Sequence, residues 1–132
     1  MYYMAGKKIK VLIVEDEETL SQMYSIKFEK EGYDVVTAGD GEMGFISAKQ
    51  DKPDIILLDI ILPKMDGFMV LEQLKNEETT KDTPVIMLTN LGQTEDVEKG
   101  KKGGAVGYLV KANCTPMQVV EKVQEVLKKA KK

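Results

Sequence analysis

The stretch 55–74, IILLDIILPKMDGFMVLEQL, carries the pattern that decides the fold: a strand, one acid, a turn and a helix. Ile55–Leu58 is a continuous apolar run, as expected of a parallel strand covered on both faces, where alternation is lost. Asp59 ends that run, and Pro63 marks a turn. Asp66 is placed to cap a helix running through Leu74, with Phe68, Leu71 and Leu74 facing inwards.

The same strand-then-helix unit recurs on both sides. Further β-rich runs are Ile9–Val14, Asp34–Ala38, Val85–Leu88 and Val106–Val110. The segment Asp16–Glu31 reads as a helix with Leu20, Met23, Tyr24 and Phe28 on one stripe and Gly32 as its stop. Glu42–Lys49 is a shorter helix carrying Met43, Phe45, Ile46 and Ala48. Thr94–Lys102 is the weakest, with little beyond Val97 as a core contact and with Gly100, which costs about 1 kcal/mol relative to alanine in a helix interior. In the last helix Thr115 and Gln118 form a capping box, Pro116 takes the first position, and Val119, Val120, Val123, Val126, Leu127 and Ala130 make the apolar stripe. A (βα)5 alternation predicts an α/β fold, doubly wound, with a five-stranded parallel sheet, helices on both faces and right-handed crossovers. Ligands then bind beyond the carboxyl ends of the strands.

The whole chain bounds the chemistry. Its 132 residues suit one domain, expected over 8–132, with residues 1–7 as an N-terminal arm or expression remnant. A net charge of −3 supplies no basic field for nucleic acid or anionic membrane. The lysines Lys128, Lys129, Lys131 and Lys132 crowd the end, where a helix dipole favours them. There is no histidine, and Cys114 is the sole cysteine. Ser-His-Asp and Cys-His catalysis, an internal disulfide and most zinc sites are thereby excluded. Without a signal peptide or a spanning apolar run, the expected location is the cytoplasm.

The residues just beyond the strands carry the chemistry. Glu15 and Asp16 come after the first strand, Asp59 after the third, Thr89 after the fourth and Lys111 after the fifth. Singly, each has a structural excuse: Asp16 can cap a helix, Thr89 is a β-former, and Asp59 can start a turn. Together they gather mutually repelling carboxylates, at about 4 kcal/mol per pair for 4 Å and an effective dielectric near 20. A divalent cation and an ammonium relieve that repulsion. Mg²⁺ suits the set, taking oxygen ligands alongside a phosphate. Carboxylate, metal, hydroxyl and ammonium then fit phosphoryl transfer to Asp59 as nucleophile.

Val-Glu-Asp at 14–16, Leu-Leu-Asp at 57–59, Leu-Pro-Lys-Met-Asp-Gly at 62–67, Leu-Thr at 88–89 and Gly-Tyr-Leu-Val-Lys at 107–111 resemble the receiver domain of bacterial two-component response regulators, of the single-domain chemotaxis type. The likeness spans roughly Lys8 to Lys128. It implies a flavodoxin-like sheet in the order 2-1-3-4-5. It also implies that Glu15, Asp16, Asp59 and the backbone carbonyl of Ile61 hold Mg²⁺. Asp59 would take the phosphoryl group from a sensor histidine kinase or a histidine phosphotransfer protein. Thr89 and Lys111 would contact that group, and Thr89 with Tyr108 would switch a surface built from the fourth helix, fifth strand and final helix. The implied protein catalyses only its own phosphorylation and dephosphorylation. It would signal, as monomer or weak dimer, to a separate output protein, with no nucleic acid or membrane as partner. Two positions depart from the family pattern. Ala112 stands where proline usually comes after the lysine, which predicts a trans bond and a reshaped loop; Asn90 stands where a small residue usually comes after the threonine, at the mouth of the site with Ile61. Rival readings are a haloacid-dehalogenase-type phosphatase, a receiver kept only for docking, and a flavodoxin-like cofactor binder. Ile61 in place of a second aspartate, the full set of site residues, and the lack of a phosphate loop after the first strand count against them in turn.

Overall fold

The structure, a computed structural model, describes residues 3–4 and 7–130. Strands β1 (Lys10–Val14), β2 (Asp34–Ala38), β3 (Ile55–Leu58), β4 (Val85–Thr89) and β5 (Gly107–Val110) alternate with helices α1 (Glu18–Lys30), α2 (Gly41–Asp51), α3 (Gly67–Asn76), α4 (Thr94–Lys102) and α5 (Pro116–Ala130). All strand pairs in this sheet are parallel, in the order β2-β1-β3-β4-β5. The order implied by the resemblance is therefore the one observed. Most of the expected arm 1–7 lies outside the described residues; Tyr3–Met4 pairs antiparallel with Lys7–Lys8, apart from the main sheet. Lys131 and Lys132 also lie outside them.

The near-continuous apolar strands are explained by two cores. Val11, Ile13, Ile55, Leu57, Ile86 and Leu88 face α1 and α5, meeting Tyr24, Phe28, Val119, Val120 and Val123. Leu12, Val14, Ile56, Leu58, Val85 and Met87 face the other way, onto Ala48 of α2 and Val70, Leu71 and Leu74 of α3. Neighbours along a strand point to opposite faces, so burying both requires apolar residues at every position.

Several helix details differ from the sequence reading. Helix α1 starts at Glu18 behind Glu17, and Asp16 is not its cap. The amide of Glu17 instead donates to the Glu15 carboxylate at 3.0 Å. Met23 and Ala130, expected on apolar stripes, are exposed, as is Met43, while Phe68 is half-buried against the core with the Lys99 ammonium 4.4 Å from its ring. For α2 the reason is steric. It packs inward through small residues, Gly44, Ser47 and Ala48, because a Cβ on Gly44 would lie 2.9 Å from Val14 Cγ1. Bulky Met43 has to turn outward. Asp66 does cap α3, accepting from Met69 N at 3.0 Å, and Thr115 and Gln118 exchange the expected capping-box bonds. In α4, Gly100 is buried, and a Cβ there would touch Tyr108 and Met87 at 3.3 and 3.4 Å. The residue that weakens the helix also lets it approach the sheet.

Candidate functional site at the carboxyl edge of the sheet

Parallel register carries the acids to one place. Val14 pairs with Leu58, and Asp59 N donates to Val14 O at 3.1 Å, so Glu15 and Asp59 emerge side by side. Asp16 comes next, exposed to solvent. One carboxylate oxygen from each of Glu15, Asp16 and Asp59 lies within 4.8 Å of the others. Glu15 and Asp59 are 5% and 6% exposed, too buried for water to screen their repulsion.

The compensating charge comes from the far side of the sheet. Thr89 pairs with Val110, which brings Lys111 to the same edge. Its ammonium donates to Asp59 Oδ2 at 2.7 Å and to Glu15 Oε1, bridging both acids. Burial by itself lowers the Lys111 pKa, but the bonds to Asp59 and Glu15 outweigh it and hold the ammonium above the ordinary lysine value. For Glu15 the balance goes the other way: burial raises its carboxyl despite Lys111 and the Glu17 amide. Every described peptide bond is trans, including Lys111–Ala112, and Lys111–Asn113 forms a single 3-10 turn. With this bond trans, the loop delivers the lysine to both acids.

The other strand-end residues complete the pocket. Asp59 Oδ1 accepts from the amides of Ile60 at 2.7 Å and Ile61 at 3.4 Å, which orients the carboxylate. Thr89 is fully buried, and its Oγ1 accepts from Leu91 N at 3.4 Å. The Tyr108 hydroxyl donates to the Leu91 carbonyl. Glu15, Asp16, Asp59, Ile61, Thr89 and Lys111, with Asn90 at the rim, line a cavity of about 260 Å³. Its donors are all oxygens on the acidic side, a set that fits a hard cation such as Mg²⁺ and leaves room for waters and a phosphate.

A sequence profile described as the response regulator receiver domain matches residues 11–124. The chain belongs to the response regulator receiver domain family. Among curated relatives, the DNA-binding dual master transcriptional regulator RpaA of Synechocystis sp. is 44% identical over 117 residues, covering 89% of this chain and 47% of RpaA. The alkaline phosphatase synthesis transcriptional regulatory protein PhoP of Bacillus subtilis is 37% identical, covering 92% of this chain and 49% of PhoP. The chain thus spans about half the length of the curated relatives it matches. Among solved structures, the chemotaxis response regulator CheY4 of Vibrio cholerae superposes with a TM-score of 0.85 at 34% identity, covering 91% of this chain and 99% of that one. A CheY-like receiver domain protein from Methanospirillum hungatei gives 0.88 at 26% identity, covering 95% of this chain and 98% of that one.

Within this receiver domain the structure brings together every site residue named from the sequence except Tyr108, which stands one bond removed through Leu91. Sequence reasoning missed Leu91, whose amide and carbonyl join Thr89 to Tyr108. A backbone link leaves no signature in side-chain types. It also missed the Ile60 amide, which any residue but proline would supply. Among the described residues no helix is long and apolar enough to cross a membrane.

Proposed function

This is the receiver domain of a two-component response regulator, and we propose that Asp59 is its phosphoacceptor. The supporting observation is the bridge of Lys111 between two buried acids, beside exposed Asp16, in a cavity at the carboxyl edge of the sheet. Glu15, Asp16, Asp59 and the Ile61 carbonyl would hold Mg²⁺, which when bound neutralises charge on the phosphoryl oxygens. An Asp59 carboxylate oxygen forms the new bond to phosphorus as the phosphorus–nitrogen bond of a phosphohistidine breaks, leaving an acyl phosphate. That histidine belongs to a sensor kinase or phosphotransfer protein, since this chain has none. Ile60 and Ile61 amides keep the acceptor oriented, and Lys111 remains to pair with the transferred group.

The signal then leaves through Thr89. A phosphoryl group adds charge and acceptor oxygens that draw in the Thr89 hydroxyl and Lys111. Thr89 is tied to Leu91 and Leu91 to Tyr108, so a movement of the first loosens the last. Helix α4, β5 and α5 form the output surface. The domain catalyses only the making and hydrolysis of its own acyl phosphate, in the cytoplasm. Because its relatives include a DNA-binding regulator, whether output passes through a nucleic acid depends on what the domain is joined to or meets.

Incubation with a small acyl-phosphate donor, with and without Mg²⁺, tests this reading. A Mg²⁺-dependent, hydroxylamine-sensitive adduct that Asp59→Asn abolishes is expected. Absence of any adduct would reduce the domain to a docking module, and catalytic consumption of the donor would point to a phosphatase.

A further inference from the structure

The loop that joins β3 to α3 is held under strain. Met65 N donates to Pro63 O at 2.8 Å, closing a three-residue turn around Lys64, whose φ is 69°. Turns of this hand are rare and strained, and a lysine has no glycine-like freedom to relieve it. Something must hold the loop there. At its far end Gly67 does so, donating to Ile60 O at 2.8 Å; a Cβ on Gly67 would lie 2.1 Å from Asp59 O.

At its near end the partner is the start of α2. Gly41 N, a first-turn amide without a helical acceptor, donates to Pro63 O at 3.3 Å. A Cβ on Gly41 would lie 2.0 Å from Met65 O, closer than any side chain tolerates. Asp40, which caps α2 by accepting from Met43 N at 2.8 Å, also faces the Lys64 ammonium at 3.8 Å. Three contacts thus clip the loop to α2, and in the chain the Ile61 carbonyl lies between Asp59 and this clip.

We infer that Gly41 is a positioning residue for the acceptor loop: the bare N-terminus of α2 seats the Pro63–Met65 turn and thereby aims the Ile61 carbonyl and the Asp59 carboxylate at the metal position. Gly41 touches neither metal nor phosphate; it acts through Met65 and Pro63. The inference rests on the assignment of Mg²⁺ to the acidic cluster.

Mg²⁺ affinity is measured by calorimetry, and stability separately by urea unfolding without Mg²⁺, for the wild type, Gly41→Ala and Gly103→Ala. Gly103→Ala is the steric control away from the loop, a milder one, since its Cβ would lie 2.7 Å from the end of the Leu71 side chain and not against backbone. Both variants are expected to unfold at lower urea. Only Gly41→Ala should weaken Mg²⁺ binding, by about tenfold, the usual scale for losing support behind a metal ligand. A Gly41→Ala protein that binds Mg²⁺ like the wild type, or equal weakening in both variants, overturns the inference. Failure of the wild type to bind Mg²⁺ defeats the functional reading instead. If Gly41→Ala does not fold, Lys64→Gly decides: it frees the turn and removes the ion pair, and an unchanged Mg²⁺ affinity there is equally fatal.

Discussion

Replacing Lys111 by methionine should make the domain less stable and a better Mg²⁺ binder at once. The side chain is 9% exposed and bridges Asp59 and Glu15, whose side chains are 8% and 4% exposed. Removing one partner of a buried pair costs about 3–5 kcal/mol, because the remaining charges stay buried and unpaired. Here two acids are left facing each other, so at least the lower figure applies in Mg²⁺-free buffer. The same change removes a positive charge from beside the acidic cluster proposed to hold Mg²⁺. Two unit charges 4 Å apart repel by about 4 kcal/mol at an effective dielectric of 20. A third of that repulsion suffices for a roughly tenfold gain in affinity. Mg²⁺ at a hundred times its Kd should then return about 2.7 kcal/mol of the lost stability. Urea unfolding monitored by circular dichroism, with and without Mg²⁺, and a calorimetric Mg²⁺ titration read both effects. A Lys111→Met protein of wild-type stability and unaltered Mg²⁺ affinity would refute the bridge as the balance of the acidic cluster.

Other consequences are open to measurement. The Lys111 pKa is raised in the folded state, so its contribution is complete below the unfolded lysine value and lost as pH climbs through the folded one. The stability gap between wild type and Lys111→Met should therefore narrow above about pH 10, the ordinary lysine range, in urea midpoints taken from about pH 8 to 11.5. Thr80 is buried and its hydroxyl donates at 2.7 Å to Leu74 O near the end of α3, a carbonyl that otherwise has only the longer 3.4 Å bond from Glu77 N. Thr80→Val should cost about 1–3 kcal/mol on unfolding while leaving adduct formation at Asp59 intact. Exposed Asn90 stands at the rim of the cavity, where water would approach an acyl phosphate if Asp59 is the acceptor. Asn90→Ala should change the dephosphorylation rate without changing stability, and identical decay curves would remove Asn90 from the reaction.

Periodicity and strand-end chemistry were sufficient to read the five βα units, the parallel sheet and the acids, hydroxyl and lysine at its edge. The reason is physical: two-sided burial forces continuous apolar strands, and parallel pairing sends every strand's carboxyl end the same way. Side-chain type alone could not decide which face of a helix is buried once small residues set the approach. Hence Met43 of α2 faces outward and Gly100 was counted only as a weakness, while Met23 and Ala130, expected on apolar stripes, are also exposed. Nor could it show that Lys111 binds two acids, that Leu91 joins Thr89 to Tyr108 through its backbone, or that Gly41 makes room for Met65. Those contacts depend on where distant backbone segments come to rest, and only the packed chain settles that. The sequence named the chemistry, while tertiary packing decided which atoms hold one another in place to perform it.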